Sequence, residues 1–313
     1  MAKYLAGPLH DVFPEIRVIT VRDGRQIAYL YMPKGMFTSF MQYFGKGIYV
    51  FMTVSDSTRK YRGVLVRQVE NIDKIMYPDG QNPRVFFDIS LIKSGIKNIL
   101  NAKRNRLFVD FEMSMPPFRD WTHFVSEIIQ AGVVVVDEDG NTVENLSTFI
   151  KPTLFPQITD RTRKFLHIRQ DAIDGGMAYP DFYKAFAELI RKYRPMVFVW
   201  GQNDQIELKK SMIANNLPDI TPRMQVIDLL KLHKNYFSLK NDLGLFNAFR
   251  LYHPDVLPEK QAHDAFEDAS VTKAVFDGFR QVCNGELTIV PPKDPGMDNG
   301  NTKTEAASPA PAA

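Results

Sequence analysis

The eight residues Leu107 to Ser114, LFVDFEMS, constrain this chain more than any other stretch. Leu107, Phe108 and Val109 form an apolar run that reads as a buried strand, and it ends in Asp110-Phe111-Glu112. Side chains alternate across a strand, so Asp110 and Glu112 project from the same face. Two carboxylates that close repel each other unless a cation sits between them. Read alone, the pair is more simply a strand end with two solvated acids, since Asp-x-Glu is common, and the rest of the chain must decide.

A length of 313 residues suits two domains, and 44% hydrophobic with 24% charged residues is ordinary globular make-up. A single cysteine, Cys283, excludes an internal disulfide and fits a reducing cytoplasm, the expected location. The first residues, MAKYLAGPLHDVFPEIRV, lack the apolar core of a signal peptide. No stretch approaches the ~20 apolar residues of a membrane span, so no membrane partner is expected. Charge is divided unevenly. Residues 1–105 hold 16 Lys plus Arg against 8 Asp plus Glu, a net of +8, which leaves −5 for the remainder of a chain of net +3. A basic part would attract a polyanion, and an acidic part would concentrate carboxylates.

Residues 15–92 read as short strands. Glu15 to Val21 and Gln26 to Met32 flank an Asp23-Gly24 hairpin signal, while Gly47 to Val54 and Gly63 to Val69 are joined by the polar stretch Ser55 to Arg62. This spacing suggests a small β-rich domain, an OB-like barrel. Arg59, Lys60, Arg62 and Arg67 lie beside Tyr49, Phe51 and Tyr61. Interleaved cations and aromatics suit a single-stranded nucleic-acid platform, although aromatics in a small barrel also serve as core. A short basic amphipathic helix and a linker over residues 93–106 lead to a domain boundary near Asn105.

Beyond it, three antiparallel strands end at Ile150 and are followed by alternating helices and strands. That order argues for an α/β fold with one mixed sheet flanked by helices, over residues 106–285. Thr159 caps a helix through His167, Pro180 opens another to Tyr193, and Asn203 caps a third. Further helices are expected over Leu229 to Tyr236, Leu239 to Tyr252 and Asp264 to Val282. Residues 286–313, rich in Pro, Gly, Ala and polar residues from Pro291 onward, read as a disordered tail.

Three positions turn the opening pair into a constellation. Asp204 follows WGQN at a helix start, where an aspartate is also favourable for dipole reasons alone. Asp268 lies along the apolar face Ala265, Ala269, Thr272, Phe276, Phe279, whereas Glu267 falls on another side with Gly278. An acid on an inward face needs a partner such as a cation. His263, five residues before Asp268, has no part in the apolar stripe and is otherwise a surface histidine. Four acids and a histidine suit metal-assisted phosphodiester hydrolysis, with two divalent ions ~3.5–4 Å apart. Oxygen ligands favour magnesium and the absence of Cys/His ligand pairs argues against zinc. A histidine with pKa near ~6.5 can take the proton of the attacking water.

The order Asp110-x-Glu112, Asp204, His263-x₄-Asp268 resembles the DEDDh group of 3′–5′ exonucleases, with their ribonuclease-H-like fold. HDAFEDA resembles the group's His-x-Ala-x-x-Asp-Ala motif, and FVSEIIQAG, WGQND and DLGLFNAFRLY resemble accompanying segments. The resemblance covers about Arg106 to Val282. It implies Asp110, Glu112, Asp204 and Asp268 as metal ligands for two Mg²⁺ ions, replaceable by Mn²⁺, and His263 as general base. It also puts Ser114 beside the 3′-terminal nucleotide. One departure concerns FLHIRQ, where His167 stands in place of a glycine and would reshape the pocket for the terminal base. The expected activity is release of nucleoside 5′-monophosphates from 3′ ends of single-stranded RNA or DNA. RNA is favoured because the LHIRQ and WGQND segments look closer to RNA-trimming members. Arg59, Lys60 and Arg62 are the expected strand contacts. The alternatives are DNA proofreading or repair, and an inactive nuclease-fold scaffold that only binds nucleic acid.

Overall fold

The computed structural model describes residues 2–119, 123–256 and 263–292, so most of the expected tail lies outside the described residues. The chain divides into two compact units, up to Ile96 and from Lys97 onward.

The first unit contains β1 (Lys3–Phe13), β2 (Val18–Asp23), β3 (Gln26–Tyr31), α1 (Lys34–Phe40), β4 (Tyr49–Tyr61), β5 (Val64–Tyr77) and β6 (Arg84–Asp88). Strand β1 pairs with β2 and β4, β2 with β3, and β4 with β5. A short parallel pairing of β3 with β5 then closes the ring. Five strands closed in the order β1-β2-β3-β5-β4, with one helix between β3 and β4, make an OB-like barrel. Its core is apolar and aliphatic, with Ile19, Leu30, Val50, Met52, Val54 and Ile72 at its centre.

The structure departs from the sequence reading here for identifiable reasons. The polar stretch Ser55 to Arg62 is not a connection. Thr58 to Tyr61 continue β4 in register with Val64 to Arg67, and their polarity reflects a solvent-exposed hairpin arm. Strand β1 escaped notice because Gly7 and Pro8 break its pattern. Gly7 is required by packing, since a Cβ there would lie 2.1 Å from the Arg22 carbonyl oxygen. Helix α2 (Ile89–Leu100) begins earlier than the basic stretch suggested and is followed by the expected linker.

The second unit contains β7 (Arg106–Met113), β8 (Ile128–Val136), β9 (Thr142–Lys151), α3 (Asp160–Leu166), α4 (Gln170–Asp174), β10 (Met177–Ala178) and α5 (Tyr179–Tyr193). It continues with β11 (Met196–Val199), α6 (Asn203–Ala214), β12 (Gln225–Asp228), α7 (Leu229–Phe237), α8 (Leu245–Tyr252) and α9 (Ala265–Asn284). The sheet runs β10-β9-β8-β7-β11-β12, with β9-β8-β7 antiparallel and β11 and β12 parallel to β7. This mixed sheet flanked by helices is the ribonuclease-H-like arrangement.

Strand alternation divides β7 between the two helical layers. Leu107, Val109 and Phe111 join the core beneath α5 and α6, where Phe111 meets the rings of Phe182 and Phe186 edge-on. Phe108 faces the other way, against Phe198 of β11 and Phe276 of α9 at centroid distances of 5.5 and 5.3 Å. Each such fully buried aromatic contributes roughly 1.5–3 kcal/mol. Asp110 and Glu112 follow Phe108 in this alternation, on the α9 side. Strand β8 is buried along its whole length because both of its faces are covered. Gly278 of α9, on another side of that helix from Asp268, is buried too, with Tyr252 of α8 where its Cβ would lie. Helix α8 starts at Leu245, later than its apolar pattern suggested.

Candidate active site

The end of β7 carries Asp110 and Glu112, and two helix starts bring the other acids to it. Asp204 lies in the first turn of α6 and is buried. Its Oδ1 accepts the Phe111 N–H at 2.9 Å, which pins the carboxylate to the strand between Asp110 and Glu112. Asn203, expected as the cap, is itself the first helical residue, and Gln202 before it makes no side-chain cap.

Helix α9 is positioned more tightly. Its cap is Asp264, whose Oδ1 accepts the N–H groups of Phe266 and Glu267, each at 3.0 Å. Gln130, buried in β8, donates to the other oxygen of Asp264 at 2.6 Å. The helix start presses against β8 at Gly132, where a Cβ would stand 2.1 Å from the Ala265 carbonyl oxygen. Only glycine tolerates that approach. His263 precedes the cap with φ of 49°, in the left-handed region, and Asp268 follows one turn later, buried on the inner face.

These placements bring three of the expected residues into direct reach of one another, with Asp110 and Asp204 close enough to feel their charge. Donor atoms of Glu112, His263 and Asp268 lie within 4.8 Å of one another, and His263 Nδ1 is 3.9 Å from Glu112 Oε1. Asp110 joins the same electrostatic cluster. Burial raises its pKa well above the usual carboxylate range, and the charges of Asp204, Asp268 and Glu112 raise it further. Glu112 is pushed up to about 8 by burial and then by Asp268 and Asp204. Asp204 is pushed up to about 7, mainly by burial, against the lowering effect of its hydrogen bond from Phe111. Carboxylates held together out of water are stabilised in their charged form by a cation between them. The donors are carboxylate oxygens with one imidazole, a set that fits a hard divalent ion better than a soft one.

His263 has the opposite tendency. Burial and the nearby charge of His167 lower its pKa, which keeps the ring neutral and able to accept a proton at neutral pH. The Phe165 ring stacks on it at 4.4 Å. His167 ends α3 with φ of 55°, a conformation that favours glycine, and this explains how it can stand at the expected glycine position. Ser114 is buried, and its groups are engaged inside the protein. Its Oγ accepts the Glu127 N–H at 3.0 Å, and its own N–H donates to the Glu127 carbonyl at 2.8 Å.

Residues not singled out from the sequence build the surrounding wall. The buried Glu127 carboxylate accepts the N–H groups of Thr153, Leu154 and Phe155. The Thr162 hydroxyl accepts the Met115 N–H at 2.8 Å, tying the segment after β7 to the helix that carries Phe165. A lone acid directly before the apolar run of β8 was the available signal for Glu127. Nothing local marks Thr162 or Gln130, whose partners are distant in sequence.

Arg59, Lys60 and Arg62 belong to the barrel. Arg59 and Lys60 are exposed on β4, and Arg62 lies in the turn after it. The Arg59 guanidinium stacks over the Tyr31 ring at 4.6 Å, and Arg17 donates to the hydroxyls of Tyr31 and Tyr61. Tyr49 and Phe51 alternate with the core residues Val50 and Met52, and therefore lie half-exposed on the outer side of β4.

The exonuclease family model, RNase_T, matches residues 107–276. A "Probable 3′-5′ exonuclease KapD" of Bacillus subtilis is 32% identical over 200 residues, which is 64% of this chain and 94% of the relative. The nuclease domain of 3′hExo, described as a DEDDh family member bound to rAMP, is 19% identical with a TM-score of 0.49, over 60% of this chain and 96% of that one. Cell-death related nuclease 4 is likewise 19% identical with a TM-score of 0.49, over 60% of this chain and 68% of its own.

Proposed function

We propose that this chain, which belongs to the RNase_T exonuclease family, removes nucleotides one at a time from the 3′ end of single-stranded nucleic acid. It is a 3′–5′ exonuclease, a hydrolase acting on phosphodiester bonds. RNA is the favoured substrate, nucleoside 5′-monophosphates are the products, and the work is done in the cytoplasm. The observation that carries this reading is the meeting of Glu112, His263 and Asp268 beside the half-buried Asp110 and the buried Asp204.

In this reading Asp110, Glu112, Asp204 and Asp268 hold two Mg²⁺ ions, for which Mn²⁺ can substitute. Bound there, the ions would acidify the attacking water and neutralise charge on the phosphoryl oxygens. The chain's own contribution is positional and protonic. Asp204, fixed by the Phe111 N–H, sets the depth of the cluster. His263, neutral and braced by the Phe165 ring, takes the water proton on a ring nitrogen. His167 and Phe165 border the space for the terminal nucleotide, and Ser114 shapes that border through its hold on Glu127. Arg59, Lys60 and Arg62 grip the strand through its phosphates, beside Tyr31 and Tyr61 as stacking surfaces.

The test is hydrolysis of matched 5′-labelled single-stranded RNA and DNA with magnesium and with EDTA. The expected result is a ladder that shortens from the 3′ end, faster on RNA and absent in EDTA. Binding without shortening would replace the enzyme with a scaffold, and equal or faster DNA hydrolysis would remove the preference for RNA.

A further inference from the structure

The cluster of acids occupies one end of the second unit's sheet. The opposite end holds a cavity of about 660 Å³ with the reverse chemistry. Its charged lining consists of Arg104, Lys184, Arg191, Arg194 and Arg223 against the single carboxylate of Glu188. Arg104 comes two residues before β7, Arg194 and Pro195 lead into β11, and Arg223 leads into β12. From Arg106 to Glu112 the strand advances six residues, roughly 20 Å. A ligand in this cavity therefore does not touch the carboxylates.

The guanidiniums are unequally engaged. Arg104 donates to the Gln225 side chain and to the Arg194 carbonyl, and Arg191 pairs with Glu188 at 3.0 Å. Among the described residues, Arg194 and Arg223 have no side-chain hydrogen bond or ion pair. Arg194 ends α5 with φ of 44°, at a conformation that favours glycine, yet the position carries a long cation directed to the cavity lining. Ala187, Ile190 and Ile220 supply an apolar part of the same lining. Planar guanidiniums match phosphate oxygens, apolar lining accepts a flat ring, and the volume falls in the range of small-ligand sites.

We propose that this cavity is a second ligand site that binds a nucleoside 5′-phosphate, with the phosphate on Arg194 and Arg223 and the base over Ile190 and Ile220. The inference stands on this cavity's own chemistry and not on the proposed reaction.

Calorimetric titration of the full chain in EDTA tests it, with AMP as probe and adenosine and inorganic phosphate as comparators. The expected result is one AMP site, tighter than either comparator. Arg194→Gln/Arg223→Gln should weaken it at least ~10-fold, since charge-assisted bonds are lost, without moving the melting temperature. Arg223→Gln alone should give a partial loss, which keeps the test valid if the double variant is unstable. Asp110→Asn should leave AMP binding intact. The proposal is overturned if AMP fails to bind, or if inorganic phosphate binds as tightly. It is equally overturned if the arginine variants bind AMP normally, or if Asp110→Asn abolishes binding, which would assign AMP to the carboxylate end.

Discussion

The barrel and the sheet unit both gather charge on alternating strands, but in opposite media. On the barrel, Arg59 lies exposed over Tyr31, where water solvates the guanidinium whether or not a ligand is present. In the sheet unit, Asp110, Asp204 and Asp268 are drawn out of water beside one another, and the pKa values of Asp110 and Asp204 rise in response. The exposed arrangement costs little and contributes modest, salt-sensitive affinity. The buried one is unfavourable in its charged form without a counter-charge, the electrostatic condition that a cation would relieve. Site chemistry is written in burial, and affinity in exposure.

That contrast breaks first at Asp110. Asp110→Asn should reduce hydrolysis of a labelled strand to background while circular dichroism stays native, because the amide keeps the side chain's shape and removes only the carboxylate. Measurable turnover in this variant would show that the cluster does not act as a unit. His263→Ala should slow hydrolysis by ~10²–10⁴ with divalent-ion binding retained, as expected for loss of a general base. An unchanged rate would take His263 out of the chemistry.

Buried charge is tested a third way at His233, which is fully buried against Tyr252, its Nε2 2.7 Å from the hydroxyl. Burial pushes its pKa down to about 4. The unfolded chain binds the proton near pH ~6.5, so this contribution to stability is complete above that pH and is lost as acid approaches pH 4. Between pH 7 and pH 5, the stability of the unaltered chain measured by chemical denaturation should fall by about 2 kcal/mol relative to that of His233→Phe, the raised acids of the other site contributing equally to both proteins. Parallel pH profiles in the two proteins would contradict the assignment. The smallest effect belongs to the barrel. Arg59→Ala should weaken strand binding only a few-fold and reduce the slope of log affinity against log salt by ~0.7, one single-strand phosphate contact. An unaltered slope would mean that Arg59 meets no phosphate.

The acids were legible because strand alternation and helix periodicity translate directly into faces. Asp110 and Glu112 follow Phe108 across β7, and Asp268 shares its stripe with Ala269, Thr272 and Phe276. Motif spacing then supplied His263. Residues whose meaning depends on a distant backbone were not legible. Glu127 is explained only by the amides of residues 153–155, Gly132 only by the start of α9, and Thr162 only by the Met115 N–H. In the barrel, the closing contact of β3 with β5 is two residue pairs long and leaves no pattern. Strand β1 was hidden by the same Gly7 that lets it pack.

The central claim is that these side chains form a cation site, and equilibrium titration of the purified chain with Mn²⁺ measures it directly. Binding should tighten as pH rises from 6 to 8, because protons held by Glu112 near pH 8 and Asp204 near pH 7 must leave first. It should vanish in Asp110→Asn and Asp268→Asn and persist in Arg59→Ala. Failure of the wild-type chain to bind Mn²⁺ at pH 8, or binding indifferent to Asp110 and Asp268, would contradict the account.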